Sequence, residues 1–171
     1  MLPHLQYVNM IKCLSCGYAR KDFKMDTIDW TDETCQITEH FTVKEALYLH
    51  QWERLGNETD GLNDDIKNNL INLCGVMEKI RALLGNIPIK VHCMYRPPAY
   101  SQLVGGTAHD VHVTGLACDF DSMPDMTCDK IKELLVPQLE ALNIRLENNG
   151  LGALWCHIDT HPVISQRYFN P

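Results

Sequence analysis

The sequence lacks the features of a membrane protein, a nucleic-acid-binding protein and a secreted protein. No apolar run approaches the ~20 residues that span a bilayer, so we expect no membrane span. Lys and Arg number 15 against 22 Asp and Glu, and this negative balance is the opposite of the basic face that binds phosphates. We therefore expect no nucleic acid as a partner. The N-terminus has no basic segment followed by an apolar one, so we expect cytoplasmic synthesis without a signal peptide.

Internal repeats, low-complexity tracts and linkers are also missing. The chain has 171 residues, of which 45% are apolar, and this is enough to bury the core of one ordinary domain. The charged fraction of 22% is typical of neither a disordered nor a fibrous chain. The composition therefore predicts one globular, soluble protein.

Eight cysteines are spread along the chain, and several lie in apolar segments where a free thiol behaves as a small apolar side chain. We expect mostly free thiols. Cys13 and Cys16 form a C-x-x-C pair, and Cys35 follows it. A closed zinc knuckle would need a fourth ligand such as His40. Surface thiols without a metal are the alternative interpretation of this group.

Two helices are predicted in the first half of the chain, after a lead-in segment of unknown role over residues 1–38. Thr42 and Glu45 form a capping-box pattern, which predicts a helix from Val43 to Arg54. Apolar residues at three- and four-residue steps predict a longer helix that starts after Asn63 or Asp64 and ends at Gly85. These apolar residues are Ile66, Leu70, Leu73, Met77, Ile80 and Leu84.

Strands dominate the second half. Alternation predicts a strand over Ile87–Tyr95, and short apolar runs predict strands over Leu116–Phe120, Ile144–Glu147 and Ala153–Asp159. One helix lies between them: Thr127 can cap a helix through Leu142, which Pro137 should kink or break. Helices followed by strands predict an α+β domain over residues 39–171, with helices packed on a small, mainly antiparallel sheet.

The stretch from Val104 to Phe120 contains the first half of a predicted metal site. His112 and Asp119 offer a nitrogen and an oxygen ligand of the kind that zinc accepts, and Gly115 between them allows the chain to turn. The best candidate for a third ligand is His157, in a short apolar run near the C-terminus. Two histidines and one aspartate with an open fourth position are typical of catalytic zinc sites.

The same residues resemble a known family. The run Y-R-P-P-A-Y-S-Q-L-V-G-G-T-A-H-D-V-H-V-T-G-L-A-C-D-F resembles the zinc D-alanyl-D-alanine carboxypeptidase family, with its S-G-Y-R-S-x-x-Y-N-x-x-V-G-G and S-x-H-x-x-G-x-A-x-D segments. L-W-C-H-I-D resembles the W-x-H segment of that family. The likeness covers roughly residues 40–161. It implies a hedgehog-like fold and one Zn²⁺ per chain.

This resemblance implies a metallopeptidase that hydrolyses peptidoglycan stem peptides. Related enzymes cleave either a terminal D-Ala or the bond between L-Ala and D-Glu, and phage endolysins are among them. We therefore expect a phage-derived lysin that acts on the cell wall after release or as a virion component. A monomer is expected unless the chain is part of a virion. The alternative is a non-catalytic zinc-binding module of the same fold, used for binding or virion assembly.

Position by position, the resemblance makes His112, Asp119 and His157 the zinc ligands. Arg96 matches the family arginine that polarises the scissile carbonyl or holds the substrate carboxylate. That role suits a guanidinium, which can grip an oxyanion or a carboxylate with two N–H groups. Asp110 stands where the family usually has serine, and we expect it to bind substrate. Ser101 and Trp155 complete the predicted substrate-binding residues, and Trp155 is also interpreted as core or site wall.

The general base is the position at which the sequence departs most from the family. Relatives have an acid a few residues before the last histidine, whereas this chain has Leu154 and Leu151 there. Glu147 is the nearest upstream acid, and it could serve if a hairpin through Asn-Asn-Gly places its strand beside that of His157. Asp159 is the rival, because it lies on the same strand face as His157. A His157/Asp159 iron site is disfavoured, since no distal histidine follows His161.

Overall fold

The computed structural model describes residues 27–122 and 126–170. Its helices are α1 (Val43–Leu47), α2 (Asp64–Leu83), α3 (Pro98–Leu103), α4 (Cys128–Leu135) and α5 (Leu139–Leu142). Its strands are β1 (Tyr48–Leu49), β2 (Arg54–Leu55), β3 (Lys90–Cys93), β4 (Ala117–Asp121), β5 (Arg145–Glu147), β6 (Cys156–Asp159) and β7 (Tyr168–Phe169). Short 3-10 helices cover Glu58–Asp60, Val111–Thr114 and Val136–Gln138.

Strands β3 to β7 form a single sheet in the order β3-β4-β6-β5-β7. Neighbours are antiparallel except β5 and β7, which pair in parallel. Strands β1 and β2 form a separate two-stranded antiparallel hairpin. The predicted α+β architecture with a mainly antiparallel sheet is therefore confirmed. Within the described residues, no helix is long and apolar enough to cross a membrane.

One face of the sheet packs against the helices. The apolar side chains that alternate along β4, β5 and β6 are buried together with those of α2 and α4. They are Cys118, Phe120, Leu146, Cys156 and Ile158 from the sheet, with Leu70, Leu73, Met77, Ile80, Ile131 and Leu135 from the helices. Because successive side chains of a strand point to opposite faces, Asp119 and His157 project from the other face.

The predicted long helix is confirmed as α2. The Asn63 side chain accepts a hydrogen bond from the backbone N–H of Ile66, which caps the first turn. The chain leaves the helix through Gly85, whose φ of +83° is unfavourable for other residues. The apolar face of α2 supplies a large part of the core, as its spacing predicts.

The prediction of one helix from Val43 to Arg54 is wrong. The capping box of Thr42 and Glu45 is present, but α1 ends at Leu47 and the chain then forms the hairpin of β1 and β2. Two tertiary backbone bonds explain the early end: Gly56 N–H donates to Leu47 O at 2.8 Å, and Tyr95 N–H donates to Ala46 O at 3.0 Å. These contacts with distant residues outweigh local helix propensity.

The remaining elements follow the predictions with shorter bounds. Thr127 caps α4 as predicted, and Pro137 lies in the 3-10 turn that separates α4 from α5. The parallel strand β7 is not in the prediction, because two residues carry no detectable alternation. Ile28 and Ile37 of the lead-in segment are buried in the core. The domain boundary after residue 38 stays a prediction.

The cysteines within the described ranges are free, as predicted. Cys74, Cys118, Cys128 and Cys156 are buried, whereas Cys35 and Cys93 are partly exposed. Burial raises the pKa of Cys74 and Cys118, which keeps these thiols protonated in the folded protein. Cys13 and Cys16, and so the suggested zinc knuckle, lie outside the described residues.

Candidate metal centre

Three side chains that are distant in sequence converge on the polar face of the sheet. His112 comes from the 3-10 helix Val111–Thr114, Asp119 from β4 and His157 from β6. Each offers one ligand atom, and these atoms all lie within 4.8 Å of one another. The structure therefore brings together the three residues that the sequence predicts as metal ligands.

Strand register positions two of the three side chains, those of Asp119 and His157. Asp119 on β4 is directly opposite His157 on β6, so their side chains leave the same face of the sheet side by side. Asp119 Oδ1 lies 2.7 Å from His157 Nδ1. The aspartate thus joins both imidazoles, since its other oxygen faces His112 at 3.3 Å from Nε2.

A tight turn places His112. The 3-10 helix ends at Gly115, which has φ +69°, and a Cβ there would lie 3.1 Å from both Ile66 O and Ile66 Cγ2. Glycine therefore lets this turn pack directly on α2. The backbone N–H of Arg96 donates to His112 O at 3.3 Å, which ties the turn to the chain after β3.

The hydrogen bonding of His112 leaves one nitrogen for a cation. Its Nδ1 lies 2.7 Å from Met94 O, and because a carbonyl only accepts, Nδ1 carries the proton. Nε2 is buried and makes no hydrogen bond, although Asp119 Oδ2 is near. A buried imidazole nitrogen without a partner is costly, and a metal held with Asp119 and His157 would satisfy it. The donor set thus fits a metal ion.

The electrostatics of the group favour a positive charge between its members. Burial lowers the pKa of His112, but the nearby Asp119 carboxylate and Cys93 thiol outweigh it and raise this pKa to about 10. Burial raises the pKa of Asp119, yet the hydrogen bond with His157 and the nearby His112 ring outweigh it and hold the pKa well below its usual range. Asp119 therefore stays ionised, as a metal ligand must.

Asp159 lies beside this group but is already engaged. Arg145 donates from Nε to Asp159 Oδ1 at 2.7 Å and from Nη2 to Oδ2 at 2.8 Å. The backbone N–H of His161 donates to the same Oδ1 at 2.9 Å. Asp159 Oδ2 lies 4.0 Å from His157 Nε2, so the carboxylate borders the ligand histidine on the side away from Asp119. This arrangement suits an orienting role better than that of a base.

Glu147 occupies the position that the hairpin prediction requires. Strands β5 and β6 are antiparallel neighbours, with Arg145 opposite Asp159 and Leu146 opposite Ile158. Extending this register by one residue puts Glu147 opposite His157, on the face that also carries Arg145. The Glu147 side chain is half-buried, and within residues 27–122 and 126–170 its carboxylate has no hydrogen bond or ion pair.

Arg96 and Asp110 form an ion pair next to His112. Arg96 Nη2 lies 2.6 Å from Asp110 Oδ2, and each side chain is only 17% exposed. Ser101 Oγ donates to the same oxygen at 3.3 Å, and the backbone N–H of His112 donates to Asp110 Oδ1 at 3.0 Å. Both side chains are therefore engaged within the chain, and their predicted contact with substrate stays a prediction.

The loop before β6 is exposed. Leu151 is 95% and Leu154 is 78% exposed, and Trp155 is 47% exposed. The core alternative for Trp155 is therefore wrong, because this side chain lies in the exposed loop, whereas the site-wall alternative is untested. Its predicted contact with substrate stays a prediction.

Three contributors to the site were missed by the sequence reasoning: the Met94 carbonyl, the Cys93 thiol and the Arg145 guanidinium. Cys93 is opposite Asp119 in the sheet, and its thiol contributes to the raised pKa of His112. A backbone carbonyl has no sequence signal. The alternation of β5 against β6 could have indicated Arg145, since a positive side chain opposite a buried Asp159 is the pairing that a sheet favours.

The fold and the site define an α+β protein with a His/Asp/His group that could hold a metal ion, on a mainly antiparallel sheet. The family model described as Peptidase M15 matches residues 39–143, which is more than half of the chain. The protein belongs to the peptidase M15 family. The matched range includes Arg96, His112 and Asp119 and ends before His157. Comparisons with curated proteins and with solved structures gave no match.

Proposed function

We propose that the protein is a zinc metallopeptidase that hydrolyses peptide bonds of peptidoglycan, with one Zn²⁺ per chain. One observation carries the proposal: Nε2 of His112 is buried without a hydrogen bond, at the centre of the His112, Asp119 and His157 group. Membership of the peptidase M15 family supports the reaction class. Two imidazole nitrogens and one carboxylate are a ligand set of catalytic zinc sites, in which the fourth position stays open.

When bound, zinc acidifies water and polarises a carbonyl as a Lewis acid. The residues of the chain supply what remains. Arg96 would donate N–H groups to the oxygen of the scissile carbonyl, because its Nη1 makes no hydrogen bond to the described residues, whereas Nη2 is held by Asp110. Glu147 is the carboxylate that can accept a proton, since the β5–β6 register extended by one residue puts it opposite His157 and it has no partner among the described residues.

Asp159 is the weaker candidate for the base. Three N–H groups, two of them from Arg145, already occupy its carboxylate. An ionised carboxylate held in this way is a poor proton acceptor, because protonation would break a buried ion pair. We propose that Asp159 fixes the ring of His157 from the Nε2 side.

The family resemblance supports a peptidoglycan stem peptide as the substrate and a phage lysin as the type of protein. The bond cleaved would be that of a D-Ala-D-Ala carboxypeptidase or of an L-Ala-D-Glu endopeptidase. Purified protein incubated with peptidoglycan in zinc should release new amino groups, and a chelator should stop the release. The peptidase proposal would be refuted if a protein shown to contain zinc released no new peptide ends, with or without chelator.

Two variants test the roles of the residues. His112→Ala should lose bound zinc, whereas Glu147→Gln should keep one Zn²⁺ and lose activity by about 10²- to 10⁴-fold, the usual contribution of a general base. Glu140→Gln on α5 is the matched control, because Glu140 is exposed and outside the metal-binding group. A Glu147→Gln enzyme with wild-type turnover would remove Glu147 from the mechanism.

A second candidate is a non-catalytic zinc module. Leu154, 78% exposed, stands where relatives have an acid, and this favours it. An assay of the wild-type protein distinguishes the two candidate functions, since a non-catalytic module would bind zinc tightly and leave peptidoglycan intact. If the wild-type protein is such a module, Leu154→Glu restores the acid at the family position. This variant should bind zinc as tightly as the wild type, and its hydrolysis of peptidoglycan should then be measured.

A further inference from the structure

The carboxylate of Asp110 is held by donors from three parts of the chain. Arg96 Nη2 lies 2.6 Å from its Oδ2, and Ser101 Oγ on α3 lies 3.3 Å from the same oxygen. The backbone N–H of His112 donates to Oδ1 at 3.0 Å. Asp110 therefore connects the predicted substrate-binding arginine with the turn that carries a predicted metal ligand.

Gly106 packs closely against this carboxylate. A Cβ on Gly106 would lie 2.5 Å from Ser101 Oγ and 2.8 Å from Asp110 Oδ2, distances that no side chain permits. The backbone of the turn thus covers Oδ2, and a substrate group cannot approach that oxygen from the same side.

The ion pair changes what Arg96 can bind. The guanidinium and the carboxylate are mostly buried, at 17% exposure each, and together they carry no net charge. A free α-carboxylate of a peptide would meet this pair with the negative charge of Asp110 close behind the arginine, and like charges in a desolvated site repel. A neutral carbonyl needs only N–H donors, and Arg96 Nη1 makes no hydrogen bond to the described residues, whereas Nη2 is held by Asp110.

We propose that Asp110 is a specificity-determining residue that directs the site to peptides without a free carboxylate at the group held by Arg96. Such a group is an amide or a continuing peptide chain, so the substrate class is an internal or α-amidated peptide. This inference rests on the proposed peptidase function and refines it. The serine that the family usually has at this position could not neutralise the arginine.

Two short peptides that differ only in this group test the inference. The probes are N-acetyl-L-alanyl-D-glutamate and its α-amide, N-acetyl-L-alanyl-D-isoglutamine, titrated into the metal-free protein and followed by nuclear magnetic resonance. The wild-type protein should bind the amide more tightly. Asp110→Asn keeps the shape of the side chain but removes its charge, and it should shift the ratio of dissociation constants roughly tenfold towards the acid.

Glu140→Gln is the control, because it also removes one negative charge, but from an exposed side chain on α5 outside the predicted site. It should leave the ratio unchanged. An equal loss of affinity for both peptides in Asp110→Asn would overturn the inference, since Asp110 would then only hold the loop. Binding of neither peptide to either protein would also overturn it, because Arg96 would then not contact the substrate.

The peptidase proposal fails on a different result. If the zinc-loaded wild-type protein cleaves neither peptide nor peptidoglycan but the binding ratio changes in Asp110→Asn, the selectivity of Asp110 stands and the proposed reaction does not. If hydrolysis is observed and the ratio does not change, the reaction stands and Asp110 has no part in selecting the substrate.

Discussion

Arg145 and Asp159 form a two-pronged ion pair between neighbouring strands, with Nε to Oδ1 at 2.7 Å and Nη2 to Oδ2 at 2.8 Å. The Asp159 side chain is completely buried, and that of Arg145 is 13% exposed. Phe169 on β7 covers the guanidinium, whose carbon lies 4.9 Å from the centre of the ring. The pair stands next to His157 and so links the metal-binding group to the edge of the sheet.

Arg145→Ala should destabilise the fold strongly. It leaves the Asp159 charge buried without its partner, which typically costs about 3–5 kcal/mol. Urea unfolding followed by circular dichroism measures the change. Lys130→Ala is the control, because the Lys130–Glu133 pair is exposed and should contribute less than about 1 kcal/mol. Equal, small losses in both variants would show that Asp159 does not depend on Arg145.

Tyr95 should make stability fall at alkaline pH. Burial raises its pKa to about 12, and nearby Asp60 adds to the effect. Between the unfolded pKa near 10 and about 12, the folded protein keeps a proton that the unfolded chain loses. The contribution of the protonated phenol is complete below pH 10 and is lost as pH rises, by roughly 2–3 kcal/mol in total.

Tyr95→Phe isolates this effect. The Tyr95 hydroxyl donates to Asp60 O at 3.1 Å, so the variant should lose about 1 kcal/mol at neutral pH. The difference in unfolding free energy between wild type and variant should shrink as pH rises from about 9 to about 11, because only the wild type has the phenol whose pKa is raised by folding. The other titrating groups are common to both proteins and cancel in this difference. A difference that stays constant over this range would contradict the prediction.

Gly115→Ala should cost stability. At φ +69° a side chain is strained, and the new Cβ would lie 3.1 Å from Ile66 O and 3.2 Å from Leu70 Cγ. Strain of this kind costs about 1–3 kcal/mol. Gly75→Ala is the matched control: Gly75 lies inside α2 with nothing within 4 Å of an added Cβ, so it should gain roughly 0.5–1 kcal/mol. Thermal denaturation of both variants gives the comparison, and a stabilised Gly115→Ala would contradict the structure.

Zinc should stabilise the folded protein through its ligands. At about 100 times its dissociation constant, zinc should raise the unfolding free energy by about 2.7 kcal/mol. His157→Ala should remove most of this gain, whereas His109→Ala should retain it, since His109 is exposed and outside the metal-binding group. The readout is the denaturation midpoint with and without zinc. Loss of the zinc effect in both variants would show that it does not arise at the proposed site.

Local sequence determined the elements whose signals are short in range. The spacing of apolar residues on α2, the caps of Thr42 and Asn63, and the break at Pro137 all depend on neighbours within a few residues, and all are present. The helix predicted to continue to Arg54 failed because Ala46 and Leu47 bond to Tyr95 and Gly56, which a local pattern does not reveal.

The sequence also predicted that His112, Asp119 and His157 lie together, because metal ligands are restricted to a few residue types and the family spacing is kept. Only the tertiary structure decided which other groups meet them. The register of β5 with β6 pairs Asp159 with Arg145 in an ion pair. It leaves the Glu147 carboxylate without a partner in the described residues. The turn at Gly106 packs against Asp110, which forms an ion pair with Arg96. Such pairings arise between strands and turns distant in sequence, where geometry selects the partner among several charged residues that look equivalent along the chain.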